Sequence, residues 1–162
     1  MKRRAAFTAF VGAAVVALLT VHPRADLTDA NLAAQQPPPA TSTTAADAPS
    51  VWDGVYTLAQ AKRGALKSGL CTSCHGDSFV GGSAPELAGE AFLSRWEGRS
   101  VADLFDLIRL TMPDDDPGAL AREQYADLVA YILAVNKFPE GRREIGTAID
   151  PLKAIRILAT KP

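Results

Sequence analysis

The sequence predicts an all-α domain, and three observations carry that reading. Several segments repeat apolar residues at helical spacing. No convincing period-2 alternation of a strand appears. The segments between the helices are long and rich in Gly and Pro. The first expected helix runs from Val55 to Leu70, with Gly64 and Gly69 as its only breakers. The second runs from Ser100 to Leu110 and spaces Val101, Leu104, Phe105 and Ile108 along one face; Ser100 with Asp103 forms the pattern of a capping box, Asp standing where Glu is usual. The third, from Ala121 to Asn136, has Tyr125, Leu128, Val129 and Ile132 at i, i+3, i+4 and i+7. Stretches 76–89 and 111–118 are loops. After Pro139 the chain still carries Ile145, Ile149, Leu152, Ile155, Ile157 and Leu158, so the tail is expected to fold back on the domain, with a short helix starting at Asp150-Pro151. Three helices and long loops make a thin core, a pattern that points to a cofactor supplying the missing apolar contact.

The chain has 162 residues and a formal net charge of −1, with 48% hydrophobic and 22% charged residues. That balance lacks the basic face expected of a nucleic-acid binder. No Walker or Rossmann glycine loop occurs, so nothing supports a nucleotide enzyme. Two cysteines and two histidines exclude a four-cysteine zinc site and a disulfide framework.

Residues 1–30 read as a signal peptide or an N-terminal membrane anchor. Lys2, Arg3 and Arg4 precede an uncharged run from Ala5 to Val21, which His22, Pro23 and Arg24 end. Thr28-Asp29-Ala30 offers small residues for cleavage, with Ala25 and Ala34 as other positions; left uncleaved, the run lies at the short end of the spanning range. Either way the remainder is expected to be exported, which in a bacterium means the periplasm. Residues 31–50 are a Pro/Thr/Ala-rich linker, and 51–162 are the folded domain.

The chemistry sits in Cys71-Thr72-Ser73-Cys74-His75. The order C-x-x-C-H reads as a c-type haem attachment site: two thiols three residues apart reach the two vinyl groups, and the adjacent His sits under the iron. A thioredoxin-like redox pair would follow a strand, whereas this one follows a helix. A zinc site would need a fourth ligand. For the sixth iron ligand, the mature domain offers no second His. Met112 is the one methionine besides Met1, and Pro113 biases it toward an extended backbone just past a helix. The alternative for Met112 is a core gap-filler. Met/His ligation raises the haem potential and fills the site where oxygen or peroxide would bind, which points to single-electron transfer without a transformed substrate.

These motifs resemble class I monohaem cytochromes c, and more closely the small cytochrome c domains fused to or paired with bacterial quinoprotein (PQQ) alcohol and sugar dehydrogenases. The resemblance spans about residues 51–160 through VWDGVYT (51–57), CTSCHG (71–76), APELAG (84–89), FLSRWEGRS (92–100), TMPDDDPGAL (111–120) and YADLVAYILAVNKFPEG (125–141). It implies the class I cytochrome c fold, three main helices and long loops around one haem c bound covalently through Cys71 and Cys74. His75 and Met112 would be the axial ligands. The resemblance further implies that the Pro85 carbonyl accepts from the His75 ring and that Leu87 packs on the haem edge. Arg95, Trp96 and Arg99 become candidates near the propionates; a plain core aromatic and a solvated helix end are the competing readings for them. Gly64 of the first helix would meet Tyr131 of the last. Two departures stand out: Lys67 occupies a position usually aromatic, with a Gly64-to-Cys71 interval one residue short, and Ala121 replaces a Ser or Thr cap.

The implied role is an electron carrier, monomeric by itself and not an enzyme. It would take electrons from a periplasmic dehydrogenase and pass them to a cytochrome or oxidase of the respiratory chain. The alternatives are a small haem enzyme or gas/redox sensor with a displaceable Met112, and a haem-free thiol oxidoreductase. Asp114, Asp115 and Asp116 read either as a solvated turn or as an acidic patch that steers a redox partner.

Overall fold

The computed structural model describes residues 48–162. The expected leader and nearly all of the linker lie outside the described residues. Among the described residues the chain is helical, with two isolated bridges and no strand, and no helix is long and apolar enough to cross a membrane. A 3-10 turn at Val51–Asp53 is followed by α1 (Leu58–Lys67), α2 (Gly69–His75), α3 (Glu90–Trp96), α4 (Val101–Thr111), α5 (Arg122–Val135) and α6 (Ile149–Ala154).

The expected helix over 55–70 is two helices. Thr57 starts α1 by accepting from the Gln60 amide at 3.1 Å. Ser68 ends it: its hydroxyl and its amide both donate to Ala65 O, at 2.8 and 3.2 Å. This i→i−3 tightening breaks the α ladder and lets α2 restart at Gly69. The second expected helix is α4, and its capping box is present, with the Asp103 amide donating to Ser100 Oγ at 3.1 Å and the Ser100 amide to Asp103 Oδ2 at 2.9 Å. The third is α5. Ala121 has no capping side chain; instead Gln124 Oε1 accepts from the Ala121 amide at 3.0 Å. The short α3 was not anticipated from apolar spacing, because only Phe92 and Trp96 of its seven residues are buried.

The most extensive helix contact is α1 on α5. Gly64 sits at the crossing. A Cβ there would run into the Asp127 carbonyl and would lie 2.8 Å from Tyr131 Cβ. Any side chain would force the helices apart, which explains a residue that otherwise costs a helix about 1 kcal/mol. Beside the crossing, Arg63 bridges Asp127 Oδ1 at 2.9 Å and Glu144 Oε2 at 2.7 Å, so α1, α5 and the tail meet in one ion network.

The tail folds back onto the domain. Buried Gln60 binds Ile145 through both amide atoms, Nε2 to O at 2.9 Å and Oε1 from N at 2.8 Å. Further on, Val51 N donates to Arg156 O and Val101 N to Ile155 O, both at 2.9 Å, which inserts the tail between the start of the domain and the start of α4. Ile145, Leu152 and Ile157 are buried there with Val51, Val101 and Phe105. The short helix expected at Asp150-Pro151 is α6, beginning one residue earlier.

Two tests follow from this packing. Gly64→Ala is expected to cost the haem-loaded protein about 1–3 kcal/mol in urea denaturation; an unchanged midpoint would show that the crossing tolerates a methyl group. The Ser100 amide and hydroxyl hold the Asp103 carboxyl below its ordinary value of 3.8. A depressed carboxyl stabilises the fold above its unfolded-state pKa and loses that contribution as pH falls through the lower folded-state value. The urea midpoint of Asp103→Asn is therefore expected to lie below wild type at pH 5, with the gap closing below pH 3.8. A gap that stays constant with pH would exclude this linkage.

Candidate functional site

The CTSCH segment lies within α2, so Cys71 and Cys74 are about one turn apart on the same helix. Both thiols are free; Cys71 is half-buried and Cys74 exposed. Burial pushes the Cys71 thiol above its ordinary pKa. His75 ends the helix and is buried.

The chain then turns sharply. Gly76 has φ +79°, and a Cβ on it would lie 2.5 Å from Gly81 O, so this position requires glycine. The carbonyls left open at the end of α2 are taken by the following loop: Ala84 N donates to Cys74 O and Gly81 N to His75 O, each at 3.0 Å. That folding brings Pro85 against the His75 ring. The His75 Nδ1 atom lies 2.6 Å from Pro85 O. A carbonyl only accepts, so Nδ1 is the donor, and Nε2 is the ring nitrogen left for another partner.

α2, α3, α4, α5 and the loops around them line a cavity of 1010 Å³. Cys71, Cys74, His75 and Met112 all line it. Met112 ends α4 with an extended backbone, φ −130° and ψ 148°, as the proline after it favours. The rest is largely apolar: Leu104 and Ile108 from α4, Leu128 and Ile132 from α5, and Trp96 from α3. Pro85 and Leu87 line it from the loop, and among the described residues no Lys or Arg does.

Arg95 and Arg99, candidates for the propionate end, are therefore not brought to this cavity. Both are exposed, and the Arg99 guanidinium lies 4.8 Å over the Trp96 ring. They follow the helix end outward, whereas Trp96 turns inward and is 3% exposed. Asp114, Asp115 and Asp116 are exposed residues of the cavity's rim, in a turn closed by Asp116 N donating to Pro113 O at 3.1 Å.

Three residues at the site carried no sequence signal for their roles. Phe79 is 2% exposed, has φ +62°, lines the cavity, and accepts at its carbonyl from Leu87 N and Ala88 N at 2.8 and 2.9 Å. Asn136, at the end of α5, donates from Nδ2 to Leu87 O and accepts at Oδ1 from Gly89 N, both at 2.9 Å, which ties the Pro85 loop and the start of α3 to α5. Tyr125 had been legible as a core position only. Its hydroxyl donates to Met112 O at 2.8 Å.

Residues 59–132 match the family model described as cytochrome C oxidase, cbb3-type, subunit III. The matched span starts in α1, ends in α5, and contains both cysteines, His75 and Met112. The match supports a c-type cytochrome. The helical architecture, with no strand among the described residues, is consistent with such a domain. A cytochrome c domain implies haem c, haem-based electron transfer and redox partners, and domains of this family are electron carriers that are typically exported or membrane-associated. No curated protein and no solved structure matches the chain.

The residues present fit a haem c. The donor set combines two thiols, an imidazole whose Nδ1 is taken by Pro85 O and a thioether, on one largely apolar cavity.

Proposed function

We propose that residues 51–162 form a monohaem c-type cytochrome that moves single electrons. Cys71 and Cys74 would hold the haem by thioether bonds, with His75 and Met112 as axial ligands. The observation that carries this reading is the common cavity: both thiols, His75 and Met112 line it together. The haem, when bound, supplies a one-electron iron couple.

The chain's own residues do the rest. Pro85 O holds the proton of His75 on Nδ1, which presents Nε2 to the metal and fixes the plane of the ring. Met112 would hold the iron through a soft thioether, a ligand that would favour the reduced state and raise the potential. Leu104, Ile108, Leu128 and Ile132 keep water from the cavity, which acts in the same direction. With His75 and Met112 both holding the iron, oxygen or peroxide would find no place to bind, and the chain would transform no substrate itself.

In this account the protein acts in the periplasm, either released from its leader or tethered by it. By resemblance its donor is a periplasmic dehydrogenase, of the quinoprotein kind. The matched family's description names an oxidase subunit, which supports an acceptor on the oxidase side of a respiratory chain. The three carboxylates at the cavity rim favour the reading in which a basic partner face is steered toward the haem.

Met112→Ala is expected to retain covalent haem, lower the potential by on the order of 0.1 V within the roughly 0.8 V range that axial ligands set, and bind carbon monoxide when reduced. An unchanged potential would remove Met112 from the iron. Replacing Cys71 and Cys74 together with Ala is expected to abolish covalent attachment; a normal c-type spectrum from that variant would overturn the attachment site.

A further inference from the structure

Tyr125 lies in the first turn of α5, is 1% exposed, and is the largest of the fully buried side chains. Its ring lines the cavity. Its hydroxyl meets both ends of the loop that carries Met112. It donates to Met112 O at 2.8 Å and accepts from Leu120 N at 3.4 Å. Within the loop, Asp116 N donates to Pro113 O and Ala119 N to Asp116 O, which makes two successive turns but anchors neither to the body of the domain. Met112 N is tied back to α4 through Ile108 O at 2.9 Å. Among the described residues, Tyr125 is the hydrogen-bonding group that joins the 112–120 loop to α5.

We propose that Tyr125 is a positioning residue for the Met112 sulfur. This rests on the reading of Met112 as the sixth ligand. The hydroxyl closes the loop at both ends onto a helix that α1 already holds firmly, so the Met112 backbone cannot swing away from the cavity without breaking both bonds. Opening the loop would leave a half-buried carbonyl and amide without partners, a penalty that opposes displacement of the sulfur by outside ligands. The tyrosine thereby sets how strongly the sixth position resists exchange, and with it whether the protein behaves as a closed electron carrier or as a ligand-binding haem protein. Phe at this position would keep the ring and its packing and remove only the clamp.

The test is an imidazole titration of the oxidised, haem-loaded protein, followed through the weak near-red band of sulfur–iron ligation. Wild type is expected to show that band and to lose it only at high imidazole. Tyr125→Phe is expected to show the band without imidazole and to lose it at about tenfold lower concentration, the effect of one buried clamp. A role confined to packing would lower the unfolding midpoint and leave the imidazole affinity unchanged. An affinity within about twofold of wild type, with the band intact, overturns the proposal. Tyr125→Leu, which also lacks the hydroxyl, is read in the same way should the Phe variant fail to take up haem. A wild-type protein with haem but no near-red band would refute the Met112 reading itself, a different result from an unchanged Tyr125→Phe titration.

Discussion

The close crossing of α1 over α5 at Gly64 is the constraint on which the site depends. A missing side chain on α1 lets the Asp127 carbonyl and Tyr131 of α5 come into direct contact with its backbone. That approach sets how closely α1 lies on α5, and Ser68, four residues on, ends α1 so that α2 restarts with both cysteines and His75. The face of α5 that carries Tyr125, Leu128 and Ile132 then becomes the far wall of the cavity. The Arg63 network across Asp127 and Glu144 lies beside the crossing, but its members are partly exposed, and charge pairs in that setting contribute little on their own. Backbone proximity is the primary restraint; the ion pairs fasten its edge.

Around this crossing the long loops are held by polar bonds rather than by a core of their own. The loop after α2 uses the open carbonyls of Cys74 and His75, which presses Pro85 onto the imidazole. Asn136 fastens the same loop from α5, and the Tyr125 hydroxyl fastens the Met112 loop from the other end of that helix. The loop that carries Pro85 and the loop that carries Met112 are thus both tied to α5. Such a design suits electron transfer, because a site whose ligands move little between oxidation states reorganises little. It also accounts for a large apolar cavity in a small domain, with the cofactor supplying part of the core.

Much of this was legible from residues alone, for identifiable reasons. The apolar spacing of Val101 to Ile108 and of Tyr125 to Ile132 located α4 and α5 to within a residue at each end. The Ser100 and Asp103 box and the Asp150-Pro151 start were local signals, and local signals transfer. The break at Ser68 depends on a single side chain turning back on Ala65 O, which spacing does not reveal. At the site, the C-x-x-C-H run and Met112 were singled out by scarcity, and the fold brings them to one cavity. Arg95 and Arg99 were candidates through the family resemblance, yet Arg95 on α3 and Arg99 in the turn after it are both exposed. Phe79, Asn136 and the hydroxyl of Tyr125 act through bonds between distant segments or through an unusual φ, and no periodicity records either.

The central claim is that Cys71, Cys74, His75 and Met112 together hold one haem. The most direct measurement is an absorption spectrum of the protein made in a host with haem-attachment machinery, recorded oxidised and reduced and then denatured in alkaline pyridine. The account predicts a c-type haemochrome, together with the near-red band of sulfur–iron ligation in the oxidised protein. A colourless protein with two reactive thiols would contradict it.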